Sequence, residues 1–570
     1  MTSPQLNNLI DKLLLGAEYQ PNQTLYYFLD NRGREYASLT YASLLEAVQR
    51  LGQWLTEKTV RGDHIVIQLP TSPEFVITFF SCLYLDRIPV PLSSPTRKRN
   101  CDHYQRIFKD CDARLVITES RVRDLFEKED LEVSPQIETF PSLDALDSLT
   151  APVDRQGNNI AFLQYTSGST SFPKGVMVSH GNIMANQKMI QQTFGHSSAS
   201  IVLGWVPLFH DMGLIGSVFQ PLYVGCPCYL MSPGTFLQRP KLWLKTISDK
   251  KITTTGGPNF AYEMCVKRID PDSLEGLSLS SWDVAYNGAE HIKLDTLEKF
   301  SATFYPYGFK KTAFLPCYGL AEATLIVSGA SKSEEPTALT IPCGTDEVLD
   351  ADASPKTGSV RTVVSNGQVM PELSLRIINP QTLKECPSHH IGEVWIAGES
   401  VTVGYWKKPE KNQETFIFYD GLRFLRTGDL GFIDSQNHLY ITGRLKDLIV
   451  IEGTNYYPQD IEEVVKLSHP GLQEVNCAVF SVPSIVSQKL VVVSEVNHKF
   501  RRQIHDYANQ IKETVKASVY DHYQLRVHDT VLLQLNSIPT TTSGKTQRQR
   551  TKLLYLLQEL ESIEKVGVAE

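Results

Sequence analysis

The chain has 570 residues, of which 42% are hydrophobic and 21% are charged, and its formal net charge at pH 7 is −8. This length exceeds what a single hydrophobic core usually supports, and the composition is that of a folded globular protein. The acidic balance argues against a nucleic-acid partner, which would require a basic face.

Sequence features that direct a protein to or across a membrane are not found. The N-terminus has no basic segment followed by an apolar core, and no apolar run approaches the roughly 18 residues of a membrane span. The ten cysteines lack the density of a secreted disulfide framework. Cys226 and Cys228 have no second pair at metal spacing, so we interpret them as buried residues. We expect a reduced, cytoplasmic protein without a membrane span.

The first half of the chain alternates between helix and strand patterns. Residues 44–55 and 74–85 carry apolar side chains at helical spacing, whereas 64–69 and 114–118 are the short apolar runs of buried strands. This alternation predicts parallel strands covered by helices. Further strands are predicted at 160–164, 201–206 and 375–378, and a more antiparallel region begins with a strand at 393–396.

The pattern changes after residue 445. Strand patterns at 448–451, 477–482 and 490–496 are interleaved with helical patterns at 458–467, 501–518 and 552–563. A unit of about a hundred residues with this mixture is typical of a small α+β domain. We therefore predict a large domain over residues 1–445 and a small C-terminal domain over 446–570.

A loop rich in Ser, Thr and Gly follows the predicted strand at 160–164. Glycine lets backbone N–H groups approach an anion, hydroxyls donate to its oxygens, and Lys174 adds a positive charge. The loop is not a Walker A loop, because five residues separate Gly168 from Lys174 and Gly175 stands where Ser or Thr belongs. A flexible linker is the alternative, but linkers seldom join two apolar strands. The predicted phosphate-binding residues are Thr166, Ser167, Gly168, Ser169, Thr170 and Lys174.

This loop resembles the signature of the adenylate-forming superfamily, which includes acyl-CoA synthetases, peptide-synthetase adenylation domains and firefly luciferase. Segments resembling its other signatures follow in chain order at 287–290, 318–324, 426–429, 443–447 and 542–545. The resemblance implies an α/β protein with a large N-terminal domain of helix-covered mixed sheets plus a distorted barrel, and a small, mobile α+β C-terminal domain. It also implies ATP and Mg²⁺ as cofactors.

The resemblance implies roles for the residues that would bind nucleotide and metal. Glu322 would bind Mg²⁺, although a surface glutamate at a helix start is the alternative. Tyr318 would lie flat on adenine unless it is simply a core tyrosine. Asp429 would accept both ribose hydroxyls, its alternative being a turn aspartate. The same site would include Gly288, Ala289, Glu290 and Gly319.

Three cationic residues are assigned in the same way. Arg444 would add positive charge near the ribose and phosphate, its alternative being a surface salt bridge. Lys545 would neutralise charge on the carboxylate and the α-phosphate, acting with Glu322 and Thr166 in catalysis; a solvated loop lysine is the alternative. Lys446 stands where the superfamily has the hinge about which the small domain rotates after adenylation.

Residues 205–216 border the acyl pocket in the superfamily. The segment pairs an apolar stretch with adjacent His and Asp residues, but no second histidine at ligand spacing supports a metal site. Ordinary core packing is the alternative to a pocket wall. Peptide-synthetase adenylation domains use an acidic residue to hold the substrate amine, and we find no clear counterpart of it here, which favours a fatty acid over an amino acid. The predicted pocket residues are Trp205, Phe209, His210, Asp211, Met212 and Ile215.

Within the superfamily the chain is most similar to the fatty acyl-AMP ligases, in segments 166–171, 209–214, 259–262 and 456–462. These enzymes pass the acyl group to the phosphopantetheine thiol of an acyl carrier protein, or of a carrier domain in a polyketide or peptide synthetase. They use free coenzyme A poorly and carry an insertion, which residues 331–364 match in position and composition. If that insertion packs against the hinge, it could restrict the domain rotation.

The predicted function is therefore ATP-dependent conversion of a medium- or long-chain fatty acid to acyl-AMP and pyrophosphate, followed by transfer to a carrier protein. A fatty acyl-CoA synthetase that uses free coenzyme A is the alternative. A luciferase-like oxygenase is a further alternative, which an assay of oxygen consumption would test. An inactive nucleotide-binding module is another, and the intact motif residues argue against it.

Overall fold

A computed structural model of the protein describes residues 7–95, 101–127, 135–148, 157–166, 173–342, 360–484, 488–501, 504–541 and 544–564. The helices, in chain order, are α1 (Leu9–Tyr19), α2 (Tyr41–Lys58), α3 (Pro73–Tyr84), α4 (Cys101–Asp110), α5 (Ser120–Phe126), α6 (His180–Phe194), α7 (Asp211–Leu214), α8 (Gln220–Val224), α9 (Pro233–Gln238), α10 (Pro240–Lys250), α11 (Asn259–Arg268), α12 (Leu294–Phe304), α13 (Pro409–Thr415), α14 (Pro458–Ser468), α15 (His498–Arg501), α16 (Ile504–Tyr523) and α17 (Arg548–Leu556).

The strands of the first part are β1 (Thr24–Leu29), β2 (Glu35–Thr40), β3 (His64–Gln68), β4 (Ile88–Pro91), β5 (Ala113–Thr118), β6 (Gln136–Thr139), β7 (Ile160–Thr166), β8 (Lys174–Ser179), β9 (Val202–Gly204), β10 (Cys228–Met231), β11 (Thr254–Gly257), β12 (Val284–Asn287), β13 (Phe314–Gly319) and β14 (Ile326–Gly329). Those of the second part are β15 (Ala338–Pro342), β16 (Val360–Val364), β17 (Gln368–Val369), β18 (Leu373–Ile378), β19 (Gly392–Gly398), β20 (Gly404–Tyr405), β21 (Phe416–Tyr419), β22 (Leu422–Ile433), β23 (Leu439–Arg444), β24 (Ile449–Ile451), β25 (Thr454–Tyr456), β26 (Cys477–Val482), β27 (Lys489–Glu495) and β28 (Val527–Leu533).

The largest sheet has nine strands in the order β17-β14-β13-β12-β11-β9-β10-β1-β2. Its central strands, from β13 to β1, run parallel, and antiparallel strands flank them on both sides. Parallel strands need crossover connections, and the helices that supply them bury the sheet. The carboxyl ends of β11, β12 and β13 lie at one edge, which is where ligands bind in sheets of this kind.

Three smaller sheets complete this part of the chain. Strands β4-β3-β5-β6 form a parallel sheet, and β20-β8-β7 form an antiparallel one. Strands β18-β19-β22-β21, with β23 also paired to β22, form a curled antiparallel sheet. The curled sheet corresponds to the predicted distorted barrel, so the predicted α/β fold class is confirmed.

The residues after Lys446 form a separate hydrophobic core. Strands β26-β27-β28 make its sheet, and α14 and α16 cover it. Its buried side chains all come from position 449 onward, from Ile449 to Ile563. Whether 445 and 446 mark the domain boundary stays a prediction. No helix within the described ranges is long and apolar enough to cross a membrane.

Some predicted boundaries are wrong. The helix predicted at 552–563 begins earlier and ends at Leu556. Beyond it, the backbone N–H of Ile563 donates to the carbonyl of Leu532, 2.8 Å away, so this stretch returns to the sheet instead of continuing the helix. The strand predicted at 201–206 ends at Gly204, and the helix predicted at 501–518 is replaced by α16, which extends to Tyr523.

Candidate active site

The candidate site lies beyond the carboxyl ends of β12 and β13, where glycine lets the chains approach closely. A Cβ atom at Gly319 would lie 1.9 Å from the carbonyl oxygen of Leu325, and one at Gly288 would lie 2.9 Å from that of Cys317. Such distances exclude any side chain unless the backbone moves. The next residue, Ala289, has a positive φ of 70°. Glycine at these two positions is therefore required by the close packing of neighbouring backbone.

Asp429 and Arg444 pair across the curled sheet. They are register partners on β22 and β23, and Nε of Arg444 lies 2.9 Å from Oδ1 of Asp429. The hydroxyl of Tyr318 donates to Oδ2 of the same carboxylate at 2.6 Å. Asp429 is only 4% exposed, whereas the Arg444 side chain is 58% exposed. The aspartate is thus a strand residue that two partners hold in place, and the turn interpretation is wrong.

The charges in this group reinforce one another. Asp429 raises the pKa of the Arg444 guanidinium, against partial desolvation by the surrounding protein atoms. Burial, together with the neighbouring carboxylate of Asp429, raises the pKa of Tyr318 well above its usual value. Arg444 therefore stays charged and Tyr318 stays neutral at physiological pH, so the phenol acts as a hydrogen-bond donor.

Glu322 lies just after β13, in the short 3₁₀ turn Ala321–Ala323, and not at the start of an α-helix. The hydroxyl of Tyr405 donates to its Oε1 at 2.6 Å. Nζ of Lys174 lies 5.4 Å from the centre of the Tyr405 ring. Burial lowers the pKa of Lys174, as does the positive charge of Lys446, while Glu322 opposes this shift. A carboxylate and two cations therefore share this end of the cleft.

Lys545 lies at the end of a tight turn of the C-terminal part. The N–H of Thr541 donates to the carbonyl of Lys545 at 2.8 Å, and the N–H of Lys545 returns a bond to Oγ1 of Thr541 at 3.0 Å. Gly544, with φ of 85°, provides the left-handed conformation that this turn requires. Residues 542 and 543 of the motif lie outside the described residues.

The Lys545 side chain reaches into the cleft of the large part. The residue as a whole is exposed, yet surrounding protein atoms desolvate the ammonium and lower its pKa, and the charge of Arg444 lowers it further. Asp211, Glu290 and Asp429 act in the opposite direction. A residue near the C-terminus is thus close enough to interact electrostatically with three carboxylates of the large part.

Glu290 is fixed by α11. Its Oε1 accepts the backbone N–H of Phe260 at 2.7 Å, at the first turn of this helix. Burial raises the pKa of Glu290, against the effects of that hydrogen bond and of Lys545. The side chain therefore faces the first turn of α11 and lies within reach of the Lys545 charge.

The segment around His210 forms one wall of the cleft. Asp211 begins α7, which continues through the π-helical turn Ile215–Phe219 into α8. Nδ1 of His210 approaches Oδ1 of Asp211 to 2.5 Å. Burial acts to raise the pKa of Asp211, but the charges of His210 and Lys545 and two hydrogen bonds outweigh it, so the pKa is lowered. Asp211 is therefore ionised next to the lysine.

Of the predicted apolar pocket residues, three are buried and one, Phe209, is half-buried. Trp205 is buried and stacks on Phe236, with ring centres 3.9 Å apart. Met212 and Ile215 are buried on the helical stretch. Phe209 is half-buried, and its carbonyl accepts from Nε2 of Gln164 at 2.9 Å. The Gln164 bond ties this wall to β7, the strand that leads into the predicted phosphate loop.

Only the two ends of the phosphate loop can be placed. Thr166 and Lys174 are register partners at the ends of β7 and β8, so the loop between them is closed by a strand pair. The predicted residues Ser167, Gly168, Ser169 and Thr170 lie outside the described residues. The loop starts beside Lys174 and hence near Glu322.

Comparison with known proteins identifies the family. Residues 16–406 match the family model of the AMP-binding enzyme. The chain belongs to the AMP-binding enzyme family. Residues 446–565 match a second model, the Disco-interacting protein 2-like AMP domain. Both matches agree with the resemblance inferred from the motifs.

Several relatives of this AMP-binding enzyme align over nearly its whole length. The medium-chain-fatty-acid–[acyl-carrier-protein] ligase JamA of Moorena producens is 38% identical, over 98% of this chain and 96% of its own. The long-chain-fatty-acid–AMP ligase FadD26 of Mycobacterium marinum is 33% identical, over 93% and 94%. A solved structure of the fatty acyl-adenylate ligase from L. pneumophila, in complex with acyl adenylate and pyrophosphate, is 36% identical, with a TM-score of 0.74 over 98% and 97%.

Sequence reasoning did not identify every residue that shapes the site of this AMP-binding enzyme. Tyr405 holds Glu322 through its hydroxyl, and Thr402 donates to the Glu322 carbonyl from both its N–H, at 2.9 Å, and its hydroxyl, at 3.0 Å. Both residues are some eighty positions away along the chain. A Gly-Tyr-Trp segment has no feature that would single out its tyrosine. Only the pairing of β20 with β8 brings it to the site.

Proposed function

We propose that this AMP-binding enzyme uses ATP and Mg²⁺ to convert a medium- or long-chain fatty acid into acyl-AMP and pyrophosphate. We propose further that it transfers the acyl group to the phosphopantetheine thiol of an acyl carrier protein, or of a carrier domain in a polyketide or peptide synthetase. The observation that carries the proposal is that the charges of Asp211, Glu290, Asp429 and Arg444, from the large part of the chain, all act on Lys545 of the C-terminal part. The printed names of the relatives support the acid and the acceptor.

The reaction explains why cations gather in this cleft. A carboxylate oxygen must form a bond to the α-phosphorus of ATP while pyrophosphate departs with the electrons of the broken bond, although both reactants are anions. Lys545 would neutralise charge on both, with Arg444 and Lys174 supporting it. Asp429 would accept the ribose hydroxyls, and Tyr318 would pack against adenine beside Gly288 and Ala289.

The cleft fits a magnesium ion at Glu322. Mg²⁺ prefers a carboxylate together with phosphate oxygens and waters, and Glu322 provides a half-buried carboxylate of which one oxygen is fixed by Tyr405. The ion would neutralise phosphate charge when bound. The protein's own contribution is to position this residue: Tyr405 of β20 orients the carboxylate, and Thr402 in the preceding loop holds the Glu322 backbone.

Replacing Glu322 with Gln should raise the Mg²⁺ concentration needed for half-maximal pyrophosphate exchange by about tenfold or more, because one charge-assisted contact is lost. The amide oxygen can still accept the Tyr405 hydroxyl, so the fold should be retained. Magnesium titrations of the exchange rate measure the effect. Glu414→Gln, an exposed residue paired with Lys411, serves as the control. Equal magnesium requirements for both variants would contradict the proposal that Glu322 binds Mg²⁺.

We propose that the acyl chain is bound along the segment that contains Trp205, Phe209, Met212 and Ile215, with His210 and Asp211 toward the reacting carboxylate. Large apolar side chains beside a few polar groups are typical of such pockets. The test is to incubate the enzyme with ATP, Mg²⁺ and labelled acids of graded length, and then to separate acyl-adenylate from thioester. Absence of acyl-adenylate with every acid would contradict the proposed function.

We propose that the chain works as two domains, residues 1–445 and 446–570, which rotate about Lys446. The separate core after position 449 supports this division. A cytoplasmic location is part of the proposal, because ATP is supplied there and the carrier thiol must stay reduced.

The insertion proposed at residues 331–364 contacts both sides of this hinge. Residues 343–359 lie outside the described residues, and the flanking strands β15 and β16 form a hairpin. Its Ile341 and Val363 belong to a hydrophobic cluster that also contains Phe432 before the hinge and Tyr457 after it. The hairpin is therefore positioned to oppose rotation at Lys446, in support of the hypothesis that it restricts use of free coenzyme A.

Arg361 of β16 is the strongest link in this contact. Its guanidinium lies 3.6 Å from the centre of the Tyr457 ring, its Nη1 donates to the carbonyl of Thr442 at 3.1 Å, and it lies 3.3 Å from Oδ2 of Asp460. The residue is only 8% exposed. A buried arginine with such partners holds the residues on either side of Lys446 in one arrangement.

Arg361→Met should therefore raise the ratio of acyl-CoA to acyl-AMP formed with free coenzyme A by about tenfold, the effect of losing one buried charged contact. Pyrophosphate exchange should change little. Arg376→Met, which removes an exposed pair with Glu385, is the matched control. Chromatography of the products measures this ratio. An unchanged ratio of acyl-CoA to acyl-AMP in Arg361→Met would contradict the proposal that the hairpin restricts the use of free coenzyme A.

A further inference from the structure

A groove of about 390 Å³ opens on the surface between the start of α10 and the end of α11. Leu242 and Ile269 form part of its apolar floor. Four exposed cationic residues surround it: Arg239, Lys241, Lys245 and Arg268. We refer to these residues and their floor as the basic groove.

The cations of the basic groove have no acidic partner among the residues that the structure describes. Nη1 of Arg239 donates to the carbonyl of Asn31 at 3.0 Å, and Nζ of Lys241 donates to that of Ser273 at 2.6 Å. Nη1 of Arg268 donates to the carbonyl of Leu237 at 3.2 Å. Backbone carbonyls orient these side chains but leave their charge uncompensated. In a chain with a net charge of −8, such a concentration of unpaired positive charge calls for an external anion.

The basic groove lies beside the contact between the two parts of the chain. Lys267, adjacent to Arg268, approaches Glu474 of the C-terminal part to 3.6 Å. On its inner side, α10 directs Trp243 toward Trp205, with ring centres 6.3 Å apart. The groove is therefore on the outer side of the wall that carries the proposed acyl pocket, next to a contact between the two parts.

We propose that the basic groove is the docking surface for the acidic face of the acyl carrier protein, a proposal that rests on the proposed function. Lys241 and Lys245 are four residues apart on α10, so their charges lie on one helix face and can meet a row of carboxylates on a partner helix. Docking beside the contact between the two parts would place the phosphopantetheine arm near the proposed site. Because the cations are exposed, the contact accelerates and orients the encounter more than it adds affinity.

The test reverses charge in the groove without touching the catalytic cleft. The double variant Lys241→Glu, Lys245→Glu is compared with Lys188→Glu, Lys299→Glu, which makes the same charge change at lysines of α6 and α12 that pair with Glu372 and Asp295. The measured quantities are pyrophosphate exchange and acyl transfer from pre-formed acyl-AMP to a phosphopantetheinylated, acidic acyl carrier protein. Transfer to free pantetheine is measured in parallel.

The groove variant should lose about tenfold or more in kcat/KM for the carrier protein and much of the salt dependence of that value. Its pyrophosphate exchange and its transfer to free pantetheine should equal those of the wild type, because neither involves the carrier surface. An equal loss in the control variant, or an unchanged value in the groove variant, overturns the docking proposal. Failure of the wild type to form acyl-AMP would instead overturn the proposed function.

Discussion

Replacing Lys545 with Ala should reduce the rate of fatty-acid-dependent pyrophosphate exchange by about 10² or more, the scale of removing one principal electrostatic stabiliser. The charges of Asp211, Glu290 and Asp429 act on the ammonium. In the proposed reaction its loss leaves two anionic reactants without this counter-charge. The turn itself depends on the backbone and side chain of Thr541, so the fold should be retained. Near-normal exchange in this variant would refute the assignment.

The lowered pKa of Lys545 gives the same residue a pH signature. Desolvation and Arg444 favour the neutral amine, so the cation is lost, as pH rises, below the usual value of 10.5. The exchange rate should therefore decline on the alkaline side earlier than an ordinary lysine would predict. Lys545→Arg should shift that decline to higher pH, because a guanidinium remains protonated. If the wild type and Lys545→Arg lose exchange activity over the same alkaline pH range, a group other than Lys545 controls that decline.

Local sequence patterns were sufficient for elements whose apolar residues are consecutive or recur at helical spacing. The strand β3 is buried along its whole length, and α2 buries residues at helical spacing, so each carries its own signal. The stretch after Leu556 carried the same apolar pattern as a helix, but it returns to pair near Leu532 and buries Ile563 in the core of the C-terminal part. Tertiary pairing determined that segment, and a local pattern cannot report it.

The motifs identified the residue types of the site but not which of them make contact. Tyr318 and Asp429 are 111 positions apart, and their bond follows from packing the curled sheet against the end of β13. The bond from Tyr405 to Glu322 and the stacking of Arg361 on Tyr457 likewise depend on contacts between distant strands. The spacing of residues along the sequence does not show which distant strands pack together, and this explains why these partners were missed.

Asp429 has a proposed nucleotide contact as well as structural partners, and its replacement tests the two roles separately. Asp429→Ala removes the acceptor proposed for both ribose hydroxyls, each bond to a charged group being worth about 1.5–3 kcal/mol. The value of kcat/KM for ATP should fall by about 10² or more. The thermal midpoint should fall mainly through the lost bond from the buried Tyr318 hydroxyl, because the other partner, Arg444, is 58% exposed and can be solvated once its ion pair is lost.

Tyr318→Phe is the matched variant for this experiment, since it keeps the ring but removes the hydroxyl that donates to Asp429 at 2.6 Å. If the phenol only orients the carboxylate, kcat/KM for ATP should fall by about tenfold, the value of one hydrogen bond to a charged group, and the ring should still pack against adenine. A loss as large as that of Asp429→Ala would make the hydroxyl indispensable. An unchanged ATP dependence in Asp429→Ala would instead mean that the ribose is bound elsewhere, because no neutral methyl group can replace an acceptor for two hydroxyls.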